Sequence, residues 1–542
     1  MSHRPARSAL PSTLALIAAI ACTLAAVPPC RAQDTEIDKL NALYSHISSE
    51  KRADLVLLSA LIGLEAPPAE AILPRVPGDD PVSKTMLLPA EGPGWTDAIA
   101  WASAPSQRAA LDALKRATDD EDGQLPMAFG LPYGLDAVAD EPGGLDLIDA
   151  RMYTDLGDPP LLATANHGYI PELDDLVSLV NIQATLLSSE GRQLDAVELL
   201  IDLLYLGRQM AGREFLDESL WGMNTMILAL QRIRDVAYTD FRTDAHSLDD
   251  ATLVQIIGRL DENLGFLRLD RLRFPRAGRF AGDQIVGLVF TDSDMASTEF
   301  GRIMARVGAG EHALTMFSQV PRWNTLSMIH SDRTATGDNI RMVQNDWAQR
   351  WTLDPFDPRL ANQTYQDSLG SRRDAIVQIV FRNDAQALFV ARRTLDTELT
   401  GTRSALAVLA YVYKHGLFPP LLASVRPHFL KKIDDDPFNP DLRARGGVPE
   451  FQYFVPIRDT LQGARVTTYP IVVDIIEPTA PNFQAILDET HFVLYSVGPD
   501  GKKDWAKNIR EDVSEVFEGD YLIWPPTISL YRQHMREIGQ LQ

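Results

Sequence analysis

Cysteine is nearly missing from this chain, and its two copies, Cys22 and Cys30, both fall within the first 32 residues. Once that stretch is removed, no disulfide, thiolate nucleophile or cysteine-held metal is available. After residue 32 no apolar run reaches the roughly 18 residues that cross a bilayer. Local catalytic signatures are lacking too: there is no Gly-x-Ser-x-Gly elbow, no His-Glu-x-x-His and no glycine-rich phosphate loop ending in Lys-Ser or Lys-Thr. No two histidines stand at the helical spacing of a metal-ligand pair, so each reads as a structural histidine. Positive charge is also short, with 51 Lys and Arg against 74 Asp and Glu and a formal net charge of -23. Loss of Arg4, Arg7 and Arg31 with the leader lowers it by three, to -26. Such a field repels phosphate backbones and anionic head groups, which excludes nucleic-acid and polybasic membrane roles.

The leader is the clearest positive feature. Arg4 and Arg7 precede an apolar run over 9–27, followed by Pro28-Pro29-Cys30-Arg31-Ala32. This is the pattern of a secretory signal with a cut after Ala32, so an exported, periplasmic or envelope-associated protein is expected. An uncleaved anchor is one alternative, and lipidation of Cys22 after Ala19-Ile20-Ala21 is another, although the Leu of a lipobox is missing. With 45% hydrophobic residues the remainder can bury a sizeable core, and its length suggests two or three domains.

Hydrophobic periodicity points to helices. Ile37, Leu40, Leu43, Tyr44 and Ile47, then Leu55, Leu58 and Leu61, mark an amphipathic helix or helix pair over 36–63. Prolines punctuate 64–170, which reads as a loop-rich layer on a helical body, with a helical stretch near 107–118. Four helices follow, over about 173–187, 195–208, 220–236 and 249–266, joined by short breaks such as Gly191, which implies antiparallel hairpins. Ala184, Gly191 and Ala196 also fit a single tetratricopeptide hairpin. Residues 270–375 keep their apolar content but lose a clear period. A long helix is expected over 371–415, ended by Gly416 and Pro419-Pro420, with strand-like runs at 452–456, 471–476 and 491–497.

The residues Tyr413-Lys414-His415-Gly416, Phe418-Pro419, Asp436-Pro437-Phe438 and Leu494-Tyr495-Ser496-Val497-Gly498-Pro499-Asp500-Gly501 stand in a particular order. It resembles the soluble part of the major pseudopilin of type II secretion, and more closely a group of uncharacterised exported proteins of planctomycete-type bacteria. The likeness covers roughly 395–525. It implies a calcium site after the Asp-Gly turn, for which Asp500, Asp504, Asp512 and Asp520 are the candidates, with Lys502, Lys503 and Lys507 opposing a cation. The prepilin cleavage motif is missing, so a pilus subunit is not expected.

The expected fold is mainly α: a helical-hairpin body, bundle or tetratricopeptide-like, with a small α+β C-terminal unit. Its parts are the signal (1–32), an N-terminal helix and loop-rich layer (33–170), the hairpin body (171–370) and a long helix with a small strand-containing pseudopilin-like unit (371–542). Three polar groups were weighed for chemistry. His330 with Asp332, Arg333 and Asp346 is the most polar histidine cluster. Glu172, Asp174 and Asp175 suit a helix start. Asp434, Asp435 and Asp436 suit a turn. No catalytic residue and no cofactor other than calcium follows. The expected function is a non-catalytic interaction or scaffold module working on another envelope protein, with an envelope hydrolase built from distant residues as the alternative.

Overall fold

The computed structural model describes residues 31–67, 81–90, 94–119, 127–243, 246–261, 266–292, 296–309, 313–354, 357–382, 385–439, 450–460, 467–474, 482–510, 519–539 and 541. Residues 1–30 with both cysteines, Asp512 and the Pro355-Phe356 turn lie outside them. The described residues form a mainly helical protein of 18 packed α-helices with a small C-terminal sheet region.

Two helices, α1 (Arg31–Asn41) and α2 (Ala53–Leu61), open the chain, as the periodicity over 36–63 implied. The proline-punctuated layer is less irregular than its composition suggests. It carries α3 (Pro81–Leu87), α4 (Trp95–Ala102), α5 (Pro105–Thr118), α6 (Leu135–Ala139) and α7 (Gly144–Asp149). Pro81 and Pro105 start helices rather than break them, because the first helical turn has no use for the missing N–H and proline's fixed φ already suits it. A two-residue ribbon follows, β1 (Thr154–Asp155) antiparallel to β2 (Asn166–His167).

The central helices are α8 (Ile170–Ser189), α9 (Gln193–Met210), α10 (Leu216–Phe241) and α11 (Asp250–Arg259). Gly191 (φ 76°) takes the left-handed position after α8. There the Arg192 N–H donates to Leu187 O at 2.9 Å and the Gly191 N–H to Ser188 O at 3.2 Å, a paired cap that reverses the chain into α9. Leu176, Val180, Leu200 and Leu204 are all fully buried, so the three-and-four spacing did mark the covered face. Gly191 has open space around it, and a close helix approach lies instead between Gly207 of α9 and Gly222 of α10.

Residues 270–375, where no period was legible, contain four more helices: α12 (Ala277–Val289), α13 (Phe300–Ala309), α14 (Ala313–Ser327) and α15 (Arg333–Trp351). The buried stripe of α15 runs Thr336, Ile340, Val343, Trp347, Trp351. Thr336 and the equally buried Gln344 interrupt its apolar signal, and Pro321 sits inside α14. The single long helix expected from 371 is two, α16 (Ala375–Val380) and α17 (Ala385–His415).

The C-terminal strands form two small sheets. β3 (Gln452–Phe454), β6 (Val493–Ser496) and β8 (Tyr521–Trp524) pair antiparallel in the order β3-β6-β8. β5 (Phe483–Leu487) pairs antiparallel with β4 (Tyr469–Asp474), which pairs parallel with β7 (Asn508–Arg510). The last helix is α18 (Thr527–Glu537). One continuous apolar core runs from Leu57 through the central helices to Ile523 and Trp524. No helix of the described residues is long and apolar enough to cross a membrane.

Candidate functional site

A concavity of about 600 Å³ opens between α1, the start of α6 and the turn after β1. Ile37, Leu156 and Tyr133 form its apolar and aromatic wall. Asp38, Asp136, Asp155 and Asp158 surround it, all on the exposed surface, and no Lys or Arg among the described residues lines it. The backbone that holds these groups is fixed from both sides. Asn41 donates to Tyr133 O at 3.0 Å and accepts from the Tyr133 N–H at 2.8 Å, which ties α1 to the loop. Arg306 of α13 reaches under the turn and donates to Pro159 O at 2.5 Å and Leu156 O at 3.1 Å. Gly157 is favoured there by its left-handed φ of 71°, and a Cβ would lie 2.3 Å from that guanidinium, which would have to move aside. An open volume in the ligand-pocket range with four acidic side chains at its rim, two of them near the Arg306 guanidinium beneath, keeps a negative balance that focuses field onto whatever docks.

Behind Tyr133 lies a buried polar network. Glu218, in the first turn of α10, is fully buried and accepts from Arg213 Nε at 2.8 Å, from the Tyr133 hydroxyl at 2.8 Å, from the Phe215 N–H at 3.3 Å and from the Tyr169 hydroxyl. The Arg213 guanidinium also donates to Leu131 O at 2.8 Å and stacks 4.3 Å from the Tyr44 ring and 4.5 Å from the Tyr133 ring. Burial pushes the Glu218 carboxyl up, but Arg213 and then His167 outweigh it and hold it below the usual carboxylate range. His167 shares a hydrogen bond of 3.0 Å with the Thr154 hydroxyl, and burial lowers its imidazole so that it is neutral near pH 7. These residues come from five separate segments, and only the position of Glu218 in a first helical turn was a local signal.

The polar groups weighed from sequence are dispersed. His330 accepts the Ile376 N–H at 3.1 Å and packs against Phe290 and Phe300; Asp332 caps α15 through the Ala335 N–H at 2.7 Å; Asp346 takes the Tyr365 N–H at 2.9 Å. Asp174 accepts from Trp221 Nε1 at 2.7 Å, and burial followed by Glu172 and Asp174 pushes Asp175 up to about 6. The three adjacent aspartates point apart. Asp434 pairs with Arg403 at 3.4 Å and Asp435 with Lys432 at 3.6 Å, while buried Asp436 takes the Ser496 hydroxyl at 2.7 Å and the Val497 N–H at 3.1 Å.

Among the calcium candidates, Asp500 and Asp504 of the β6–β7 connection come near Asp520, the residue before β8. Their oxygens are directed at the turn. Asp500 accepts the Lys502 N–H at 2.9 Å, and buried Asp520 accepts the Ala506 N–H at 2.7 Å and the Asp504 N–H at 3.4 Å. No group of three or more His, Cys, Asp or Glu able to hold a metal ion occurs among the described residues. A calcium shell wants about six to eight oxygens, and Asp512, the fourth candidate, lies outside the described residues.

Asp520 instead behaves as a proton store. Burial, reinforced by Asp504 and Asp500 and only partly offset by the two amides, pushes its carboxyl up to about 7 from 3.8. A raised acid takes up a proton on folding, so its contribution is present below about pH 3.8 and is lost as pH rises to about 7. Asp520→Asn keeps an acceptor for the Ala506 N–H at 2.7 Å, gives up the longer 3.4 Å bond from the Asp504 N–H and removes that loss. It is expected to stabilise the protein by on the order of 2 kcal/mol at pH 8 and by nothing at pH 4. Denaturation midpoints at the two pH values, with and without calcium, check this. A calcium-dependent rise in the wild type that Asp520→Asn abolishes would assign the aspartates to the metal after all.

No family model matches this chain, and neither the curated proteins nor the solved structures contain a match to it.

Proposed function

We propose that the protein is an exported, non-catalytic interaction module of the cell envelope, and that its acidic cleft receives a positively charged segment of another envelope protein. The observation that carries this reading is the pairing of an open cleft of about 600 Å³ with four exposed aspartates and, among the described residues, no lining cation. Rim charges of one sign raise association rate and select partner charge. Export rests on the leader, and kinship with the pseudopilin-like exported group on the C-terminal marks. The succession of the 31-residue α17, the Asp436 turn and the antiparallel β3-β6-β8 sheet is in keeping with that kinship.

Calorimetric titration of the exported protein with a hexa-lysine peptide tests the function. Binding is expected that weakens steeply with salt and falls roughly tenfold or more in Asp136→Asn/Asp158→Asn, two exposed positions whose change leaves the core untouched. No binding at low salt, or equal binding by the double variant, would remove the reading. The alternative, an envelope hydrolase, draws support from Tyr133, which both lines the cleft and bonds Glu218. Turnover of ester or peptide substrates that Tyr133→Phe abolishes would establish it in place of the docking function.

A further inference from the structure

A second cavity, about 160 Å³, lies on the far side of α10, where the end of α8, the Leu88-Pro89-Ala90 segment and α18 meet. Its character is opposite to that of the acidic cleft. Three arginines, Arg232 of α10 with Arg532 and Arg536 of α18, line it together with one carboxylate, Asp235. Asp235 is fully engaged: Arg532 donates to both its oxygens at 3.0 Å, Ser529 donates at 2.5 Å, and Arg232 completes the set through Nη1.

Donors remain after that carboxylate is satisfied. The Nε–H groups of Arg232 and Arg532 are buried and have no hydrogen-bond partner among the described residues, although Arg232 is only 2% exposed. Arg536 stands at the exposed mouth, with no described carboxylate within ion-pair distance. Three guanidinium groups against one carboxylate leave a local excess of two positive charges in a chain whose net charge is -23. Burial, partly offset by Asp235 and reinforced by Arg532, pushes the Arg232 guanidinium down to about 10, as a cation short of negative charge must be. An unpaired buried donor costs about 1–3 kcal/mol, and guanidinium forks match the oxygens of phosphate.

We propose that this cavity is a binding site for a small tetrahedral oxyanion, inorganic phosphate or the terminal group of a phosphomonoester, held by Arg232, Arg532 and Arg536 with Ser188 at its edge. The volume suits one such group. One water needs roughly 10–15 Å³ on the same measure, so the cavity of about 160 Å³ takes about eleven to sixteen water-sized units, room for a phosphate with its hydration or a small phosphomonoester. The anion would lock α18 onto α8 and α10, and so couple the C-terminal helix to the helical body.

Titration of the exported protein with inorganic phosphate at low ionic strength tests it, with glycerol phosphate and acetate as further arms. Saturable one-to-one binding with a Kd of about 1 mM or tighter is expected, together with a rise in melting temperature. Arg536→Ala, an exposed change that leaves the Asp235 pairs intact, is expected to weaken it at least roughly tenfold, and Arg536→Lys less. Glycerol phosphate binding as well as phosphate would identify an ester headgroup as the occupant, and phosphate alone the free ion. No saturable binding, equal affinity in Arg536→Ala, or acetate binding as tightly as phosphate would overturn the assignment.

Discussion

Glu218→Gln is expected to cost about 3–5 kcal/mol of folding stability, because it leaves Arg213 buried without a counter-charge. The side chain keeps its shape, so the loss reads charge and not volume. Arg213 is buried and its Nε donates to Glu218 at 2.8 Å. Stacking on Tyr44 and Tyr133 supplies part of its stabilisation but no negative charge. The Tyr133 hydroxyl and the Phe215 N–H, both bonded to one carboxylate oxygen, would have to share it with an amide that offers a single acceptor. Adding Arg213→Met to Glu218→Gln removes the orphaned cation, and the double variant is expected to recover about half of the loss. Urea midpoints of the three proteins settle it. A single variant within about 1 kcal/mol of the wild type would show that the buried pair adds nothing net. The same network sets an acid limit. His167 is neutral when folded because burial lowers it from 6.5, so its share of stability is complete above that pH and declines as pH falls below it.

What the sequence disclosed and what it hid divide along one physical line. Signals carried by neighbouring residues were legible. The apolar stripes of α8 and α9, the glycine reversal at Gly191 and the turn duty of Asp436 follow from three-and-four spacing, a positive φ and an Asp-Pro pair, and all are present. Helices whose buried face carries polar residues were not, as Thr336 and Gln344 of α15 show. Strands β5, β7 and β8 went unnoticed as well. β7 is three residues long, and the Tyr521–Trp524 strand is buried on both faces and has no alternation to read. The candidate sites are the extreme case. Arg232 and Arg532 are 300 positions apart in the sequence, and Tyr133, His167, Arg213 and Glu218 meet only after β1, β2 and α10 have packed, so their chemistry has no local spacing at all. Histidine patterns drew attention to His330, a structural residue, while His167 carried no local mark.

The second large effect comes from a contact without any polar group. Gly222→Ala is expected to destabilise the protein by more than about 3 kcal/mol, while Gly337→Ala, the same change in another helix, is expected to stabilise it by about 0.5–1 kcal/mol. Helices α9 and α10 cross where Gly207 faces Gly222. A Cβ on Gly222 would lie 2.3 Å from the Ala211 nitrogen and 2.5 Å from Gly207 O, both backbone atoms that no rotamer change can move. The helices would have to separate, and with them the packing of Leu203, Met226 and Leu230, all fully buried around the crossing. At Gly337 nothing lies within 4 Å, so alanine gains helix propensity with no opposing clash. The pair of variants therefore separates close approach from glycine's backbone entropy, which acts the same way in both. Thermal melts of each, compared with the wild type, carry the result. A mild effect of Gly222→Ala would mean that α9 and α10 sit further apart than described, and a loss at Gly337→Ala would mean that α15 has a neighbour on its open face.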